Sequence, residues 1–138
     1  MSVPVGRRGK SKLEACAKAH ELCCYTIQLT ANDKIFIEKY RRALGDRIVE
    51  TAMTIYVSAM AANDINVRNA ADAKERLSLQ KRAINNCRVL LYLVDLAYRI
   101  YKLRSKRIQY WCGLILKTRE LLAAWHKSDF EKYREMLK

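Results

Sequence analysis

Apolar positions recur every three to four residues through most of the chain, a spacing that predicts helices. In the first helix, expected from about Lys12 to Leu29, the stripe is Leu13, Cys16, His20, Cys23 and Ile27, widened by Leu22, Tyr25 and Leu29. Ser11 and Glu14 match a capping box that would start it: the hydroxyl accepts from the Glu14 N–H, and the carboxylate reaches back. Thr30-Ala31-Asn32-Asp33 is a polar break rich in helix-starting residues. The second helix is expected from Lys34 to Ala62, with Ile37, Tyr40, Leu44, Ile48, Thr51, Ile55, Ser58 and Ala62 on its seam. The small residues at its far end would let a partner helix approach closely. Asn63-Asp64 and residues 66–69 mark the next break.

The third helix is expected from Ala70 to Lys102. Leu77, Ile84, Leu91 and Tyr98 stand seven apart, as do the interleaved Cys87, Val94 and Tyr101, which is the period of a left-handed bundle. Leu90, Leu93 and Ala97 widen this face. Ser105 offers a cap for a fourth helix reaching about Lys127, with the seam Ile108, Trp111, Ile115, Thr118, Leu122 and Trp125. Ser128 and Glu131 form a second capping box, expected to start a short tail helix, Asp129 to Leu137.

Composition supports the helical reading. From Lys10 onward the 138-residue chain has no proline, and only two of its four glycines lie there. An all-β domain needs turn residues far more often. At 51% apolar residues the chain is too hydrophobic to be disordered. A single all-α domain follows: an up-down-up-down antiparallel four-helix bundle over residues 11–127, a flexible basic arm at 1–10 and a short C-terminal helix at 128–138. No apolar run approaches the ~20 residues that cross a bilayer, so no membrane partner is expected. The first residues lack the apolar segment of a secretory signal. With five cysteines and no C-x-x-C pair, reduced thiols in a cytoplasm are the expectation.

Signatures of enzymes are missing. The chain contains no phosphate-binding glycine loop, no nucleophile elbow and no zinc-protease helix motif. Neither His20 nor His126 is preceded three residues back by the Glu that a di-iron bundle requires. His20 reads as a core histidine, and His126 as a cation suited to a helix C-terminus. Cys16, Cys23 and Cys24 lack zinc-ligand spacing and read as buried thiols. No catalytic residue, metal or cofactor is expected. Gly113 inside a helix costs ~1 kcal/mol relative to Ala; either another backbone comes close there or the helix simply carries the defect. Asp95 interrupts an apolar run and should find a partner in Arg88, Arg99 or Arg41.

Charge carries the functional signal. The net charge of +13 is concentrated in three segments: +4 over residues 1–12, +3 over Lys34 to Arg47 and +5 over Arg99 to Arg107, the first and last without any acid. In an up-down bundle the two internal segments meet at one end. Such a patch attracts phosphate backbones and releases their counterions. Tyr101 and Tyr110 lie close enough to stack on unpaired bases, or to serve as core and flank residues. Arg7, Arg8, Lys10 and Lys12 would form a phosphate-binding arm, and Lys39, Arg42, Arg104, Lys106 and Arg107 fixed phosphate contacts. An acidic partner protein is the other polyanion this charge suits.

Three segments resemble a small four-helix-bundle family: Leu44-Gly45-Asp46-Arg47-Ile48, the run Leu90 to Ala97, and Leu121-Leu122-Ala123-Ala124-Trp125. That family includes the accessory variability determinant (Avd) proteins of diversity-generating retroelements and the proteins encoded in ribosomal RNA intervening sequences. The resemblance covers about Leu22 to Lys127. It implies a basic, barrel-shaped homopentamer without enzymatic activity. Its partners would be a reverse transcriptase and template RNA, with DNA as a further ligand, in support of mutagenic cDNA synthesis and retrohoming. The intervening-sequence branch would keep RNA and lose the polymerase. The chain departs from the family at Ala31-Asn32-Asp33-Lys34, where a Phe-Pro-Lys-like turn is common, and in its extension past Trp125.

Overall fold

A computed structural model describes the backbone of residues 5–138 and the side chains from Lys12 onward. It contains four helices: α1 (Val5–Thr30), α2 (Asp46–Asp64), α3 (Ala70–Ile100) and α4 (Ser105–Lys132). Among the described residues there is no strand. Each helix packs on two others: α1 on α2 and α4, and α3 on α2 and α4.

Helix α1 begins at Val5, ahead of the expected start, so residues 5–10 belong to it and Ser11 lies inside it rather than at its cap. Its buried stripe is Ala15, Ala19, Leu22, Thr26 and Leu29. The expected stripe holds at Leu22, Cys23 and Leu29 and is otherwise rotated: Leu13 is 70% exposed, and Ile27 and His20 also face solvent. Small residues win because the opposing helix brings large ones. Trp111 of α4 is fully buried and donates its Nε1 hydrogen to Thr26 Oγ1 at 3.1 Å. Thr30 ends α1 by donating to the Thr26 carbonyl at 2.8 Å.

The polar break falls where expected, with Asn32 Oδ1 accepting from the Lys34 N–H at 3.0 Å. The helix expected directly after it does not form there. Phe36 turns inward to 2% exposure, and Ile37 is extended. A 3₁₀ turn (Glu38–Tyr40) and a π-helical turn (Arg41–Gly45) then lead into α2. From Leu44 on, the expected seam holds at Leu44, Ile48, Ile55, Ser58 and Ala62, while Ile37 stays 46% exposed.

Helix α3 is capped by Asn69. Asn69 Oδ1 accepts from the Asp72 N–H at 2.9 Å, and Asp72 accepts from the Arg68 N–H at 3.0 Å. It ends in a left-handed residue, Lys102 (φ 55°), with the Leu103 N–H bonded to the Tyr98 carbonyl. Asp95 is exposed and forms no salt bridge among the described residues; its expected partner Arg41 instead holds Asp33 at 2.6 Å. The seam of α4 is buried as expected, except that Ile108 is half-buried. Its first residue is Ser105 and its N-cap is Arg104, with no side-chain cap. Among the described residues, no atom outside the local helix backbone would lie within 4 Å of a Cβ at Gly113.

The tail does not start a new helix. Helix α4 runs on to Lys132, with Ser128 and Asp129 buried inside it. Asp129 Oδ2 accepts from Arg76 Nε and from Gln80 Nε2, both at 2.7 Å, and Arg76 Nη1 donates to the Ile65 carbonyl at 3.1 Å. One carboxylate thus ties α4 to α3, and through Arg76 to the α2–α3 connection.

With α4 extended, His126 is no longer at a helix end. Burial and the nearby Lys81 lower its pKa from the usual 6.5, while Asp129 pulls the other way. The unfolded chain therefore takes up this proton first, and stability falls as pH drops through 6.5 toward the folded-state pKa. His126→Gln should flatten the fall in melting temperature between about pH 7.5 and about pH 5.5. Parallel profiles for the two proteins would contradict this.

Candidate nucleic-acid interface

A chain of aromatic rings brings the two internal basic segments together. Tyr40 meets Tyr101 edge-on with centroids 5.8 Å apart, and Tyr101 lies 4.4 Å from Phe36. Phe36 meets Trp111 at 5.9 Å, Trp111 meets Tyr25 at 6.3 Å, and Tyr25 meets Tyr110 at 4.9 Å. The rings come from four separate stretches: α1, the turns before α2, the α3–α4 connection and α4. Ring pairs of this kind add about 0.5–1.5 kcal/mol each beyond their buried area. They lock the segment 36–45 against residues 101–111.

Cations ride on this frame. Lys39 lies over the Tyr40 ring at 5.5 Å and is exposed. Arg42, Arg104 and Lys106 are exposed, and Arg107 is half-exposed beside the Tyr25 hydroxyl. Lys34, Arg47, Arg99 and Lys102 belong to the same two segments and are exposed too. The charge of Arg41 is met by Asp33. Over residues 31–47 and 99–107, ten Lys and Arg face three acids.

The position of these cations works against the fold. Helix α4 has no acid in its first turn, where Lys106 and Arg107 sit. A helix N-terminus is already partly positive, so each such cation costs about 0.3–1 kcal/mol. Stability does not account for that placement, whereas an incoming anion would gain from both the side chains and the dipole.

Lys12 is not part of this cluster. It lies toward the start of α1, roughly 27 Å along the helix from Thr30 at 1.5 Å per residue. There it lines a polar pocket of about 430 Å³ with Asn63, Asp64, Arg76, Lys132 and Tyr133. The side chains of Arg7, Arg8 and Lys10 fall outside the described residues. Of the expected contacts, Lys39, Arg42, Arg104, Lys106 and Arg107 therefore lie on or beside the two segments that the rings join, and Lys12 is set apart. Tyr101 is unsuited to stacking, because it is packed between Phe36 and Tyr40 with its hydroxyl buried.

Other chemistry is sparse. Among the described residues no group of three or more His, Cys, Asp or Glu could hold a metal ion. The five cysteines are free. Burial pushes the Cys87 thiol up to about 12, while Cys24, expected to be buried, is exposed 3.8–3.9 Å from His20. His20, expected in the core, packs its edge against Tyr56 at 5.4 Å. No described helix is long and apolar enough to cross a membrane.

The outer face of α2 is the other unusual surface. Thr51 to Asn63 contains no charged residue, and Met53 and Val57 are 46% and 57% exposed. A groove of about 560 Å³ runs along it, lined by Val49, Met53, Val57, Ala61 and Leu79, with the charged residues Asp46, Glu50 and Arg82.

The molecule defined by these features is an all-helical basic protein with a rigid cationic end. Comparison with known protein families, with curated proteins and with solved structures finds no match to this chain.

Proposed function

We propose that this chain is a non-enzymatic, nucleic-acid-binding accessory protein of a diversity-generating retroelement. It would hold template RNA, and DNA as a further ligand, and deliver them to the retroelement's reverse transcriptase in the cytoplasm. The scaffold is an up-down-up-down antiparallel bundle. The observation that carries the binding half is the cationic end, where Arg104, Lys106 and Arg107 are set against the dipole of α4 and the segment that holds Lys39 and Arg42 is joined to theirs by packed aromatic rings. The polymerase half rests on the resemblance of residues 44–48, 90–97 and 121–125.

Self-association into a pentamer belongs to the same proposal. The uncharged outer face of α2 supports it, since a helix apolar on both faces is normally covered. Asp46, Glu50 and Arg82 line the same groove and offer both signs of charge to a second copy.

The test is RNA affinity. Arg104→Glu with Arg107→Glu should weaken binding of a single-stranded RNA at least about tenfold without lowering the melting temperature, because neither residue forms an ion pair among those described and acids suit the start of α4 better than cations. Undiminished affinity at low salt would remove the site. Tight binding to an acidic protein without binding to RNA would replace the reading.

A further inference from the structure

Tyr110 stands at one end of the aromatic chain, and the residue is 48% exposed. A tyrosine on a helix surface usually samples several rotamers, and this one is buttressed. Tyr25 of α1 supports it edge-on, with centroids 4.9 Å apart and planes at 83°. Tyr25 is held in turn by Trp111 at 6.3 Å, and Trp111 is fully buried. Arg107, one turn before Tyr110 on α4, lies beside the Tyr25 hydroxyl, and Lys106 is four residues before Tyr110 on the same helix. The result is a fixed aromatic surface with two cations one helical turn away.

A double-stranded ligand has no use for that surface, because its bases are already stacked on one another. An unpaired base presents a free face, and stacking on a protein ring tolerates any base. We infer that the exposed face of Tyr110 stacks on an unpaired base while Arg107 and Lys106 hold the flanking phosphates, so that the ligand at the cationic end is single-stranded there. This rests on the reading that this end binds nucleic acid, and it adds which form is bound. The opposite end of the ring chain differs: Tyr40 is half-buried, with Lys39 lying over its ring.

Two probes separate the possibilities: a single-stranded RNA of about twelve nucleotides and a blunt RNA duplex of the same length. Tyr110→Ala should weaken the single strand about tenfold, in the range found for loss of one stacked base, and leave the duplex within twofold. Tyr110→Trp should restore single-strand binding. Tyr110→Leu keeps apolar packing on Tyr25 but has no π face, so it should behave like the alanine variant while melting at the wild-type temperature. Equal losses on both probes would mean that the ring only supports its neighbours, and would overturn the inference. So would Tyr110→Leu binding like wild type. If Arg104→Glu with Arg107→Glu weakens both probes and no Tyr110 variant weakens either, the cationic site stands and stacking falls. If the wild-type protein binds neither probe at low salt, both readings fall together.

Discussion

Replacing Asp129 by alanine is expected to remove about 3–5 kcal/mol of unfolding free energy, the usual loss when one member of a buried ion pair is stranded. The side chains of Arg76 and Asp129 are only 9% and 5% exposed, with Nε and Oδ2 2.7 Å apart. Without the carboxylate, Arg76 keeps one bond to the Ile65 carbonyl and its place 5.4 Å from the Trp125 ring. Gln80 Nε2 loses its acceptor, and Gln80 Oε1 already has no hydrogen-bond partner among the described residues. A domain of this size has about 5–15 kcal/mol in total, so the variant should unfold at much lower urea. The triple change Arg76→Met, Gln80→Leu and Asp129→Leu should recover most of the loss, because apolar residues of similar volume commonly match or exceed a buried pair. Urea titration of the three proteins checks both statements. A loss below about 1 kcal/mol for Asp129→Ala would mean that Arg76 is solvated in the native state.

The same network explains why the tail departs from its local sequence signal. Ser128 and Glu131 satisfy the capping-box spacing, and that local rule predicts a helix start. What overrides it is a contact 53 residues away, Arg76 with Asp129, which keeps the chain helical through Ser128. A trace of that contact was present in the sequence. Arg76 and Gln80 are polar, four apart, and lie on the stripe otherwise made of Ala73, Leu77, Ala83 and Cys87. Asp95 breaks an apolar run, but that run also covers the outer side of α3, where Tyr92 and Leu96 are 67% and 48% exposed. Hydrophobicity alone does not separate a buried stripe from an exposed one.

Helix α4 was the most legible element, because its seam combines two Trp with Ile and Leu, and large residues mark a buried face without ambiguity. Helix α1 was the least legible. Its buried positions are mostly Ala and Thr, small enough to fit against Trp111, and periodicity gives them little weight. At the cationic end the basic segments could be read from charge counts. The ring chain could not, since its members are scattered from Tyr25 to Trp111 and join only through tertiary packing.

The steepest response expected of this protein is to salt. Each phosphate neutralised by a cation of the site releases condensed counterions, so affinity falls as a power of salt concentration. Five fixed cations, Lys39, Arg42, Arg104, Lys106 and Arg107, would give a log–log slope of about −3.5 on a single strand, at about −0.7 per contact. Between about 50 and 200 mM salt the affinity should then drop about a hundredfold. Arg41 adds nothing to the slope, because Asp33 already meets its charge at 2.6 Å. Arg104→Glu with Arg107→Glu should reduce the slope to about −2. Fluorescence anisotropy across a salt series for the two proteins gives both numbers. A slope near zero would mean that phosphates are not what this end holds. A slope that stays at about −3.5 in the double variant would move the released ions elsewhere, to the end of α1 where Lys12 and Lys132 share a polar pocket.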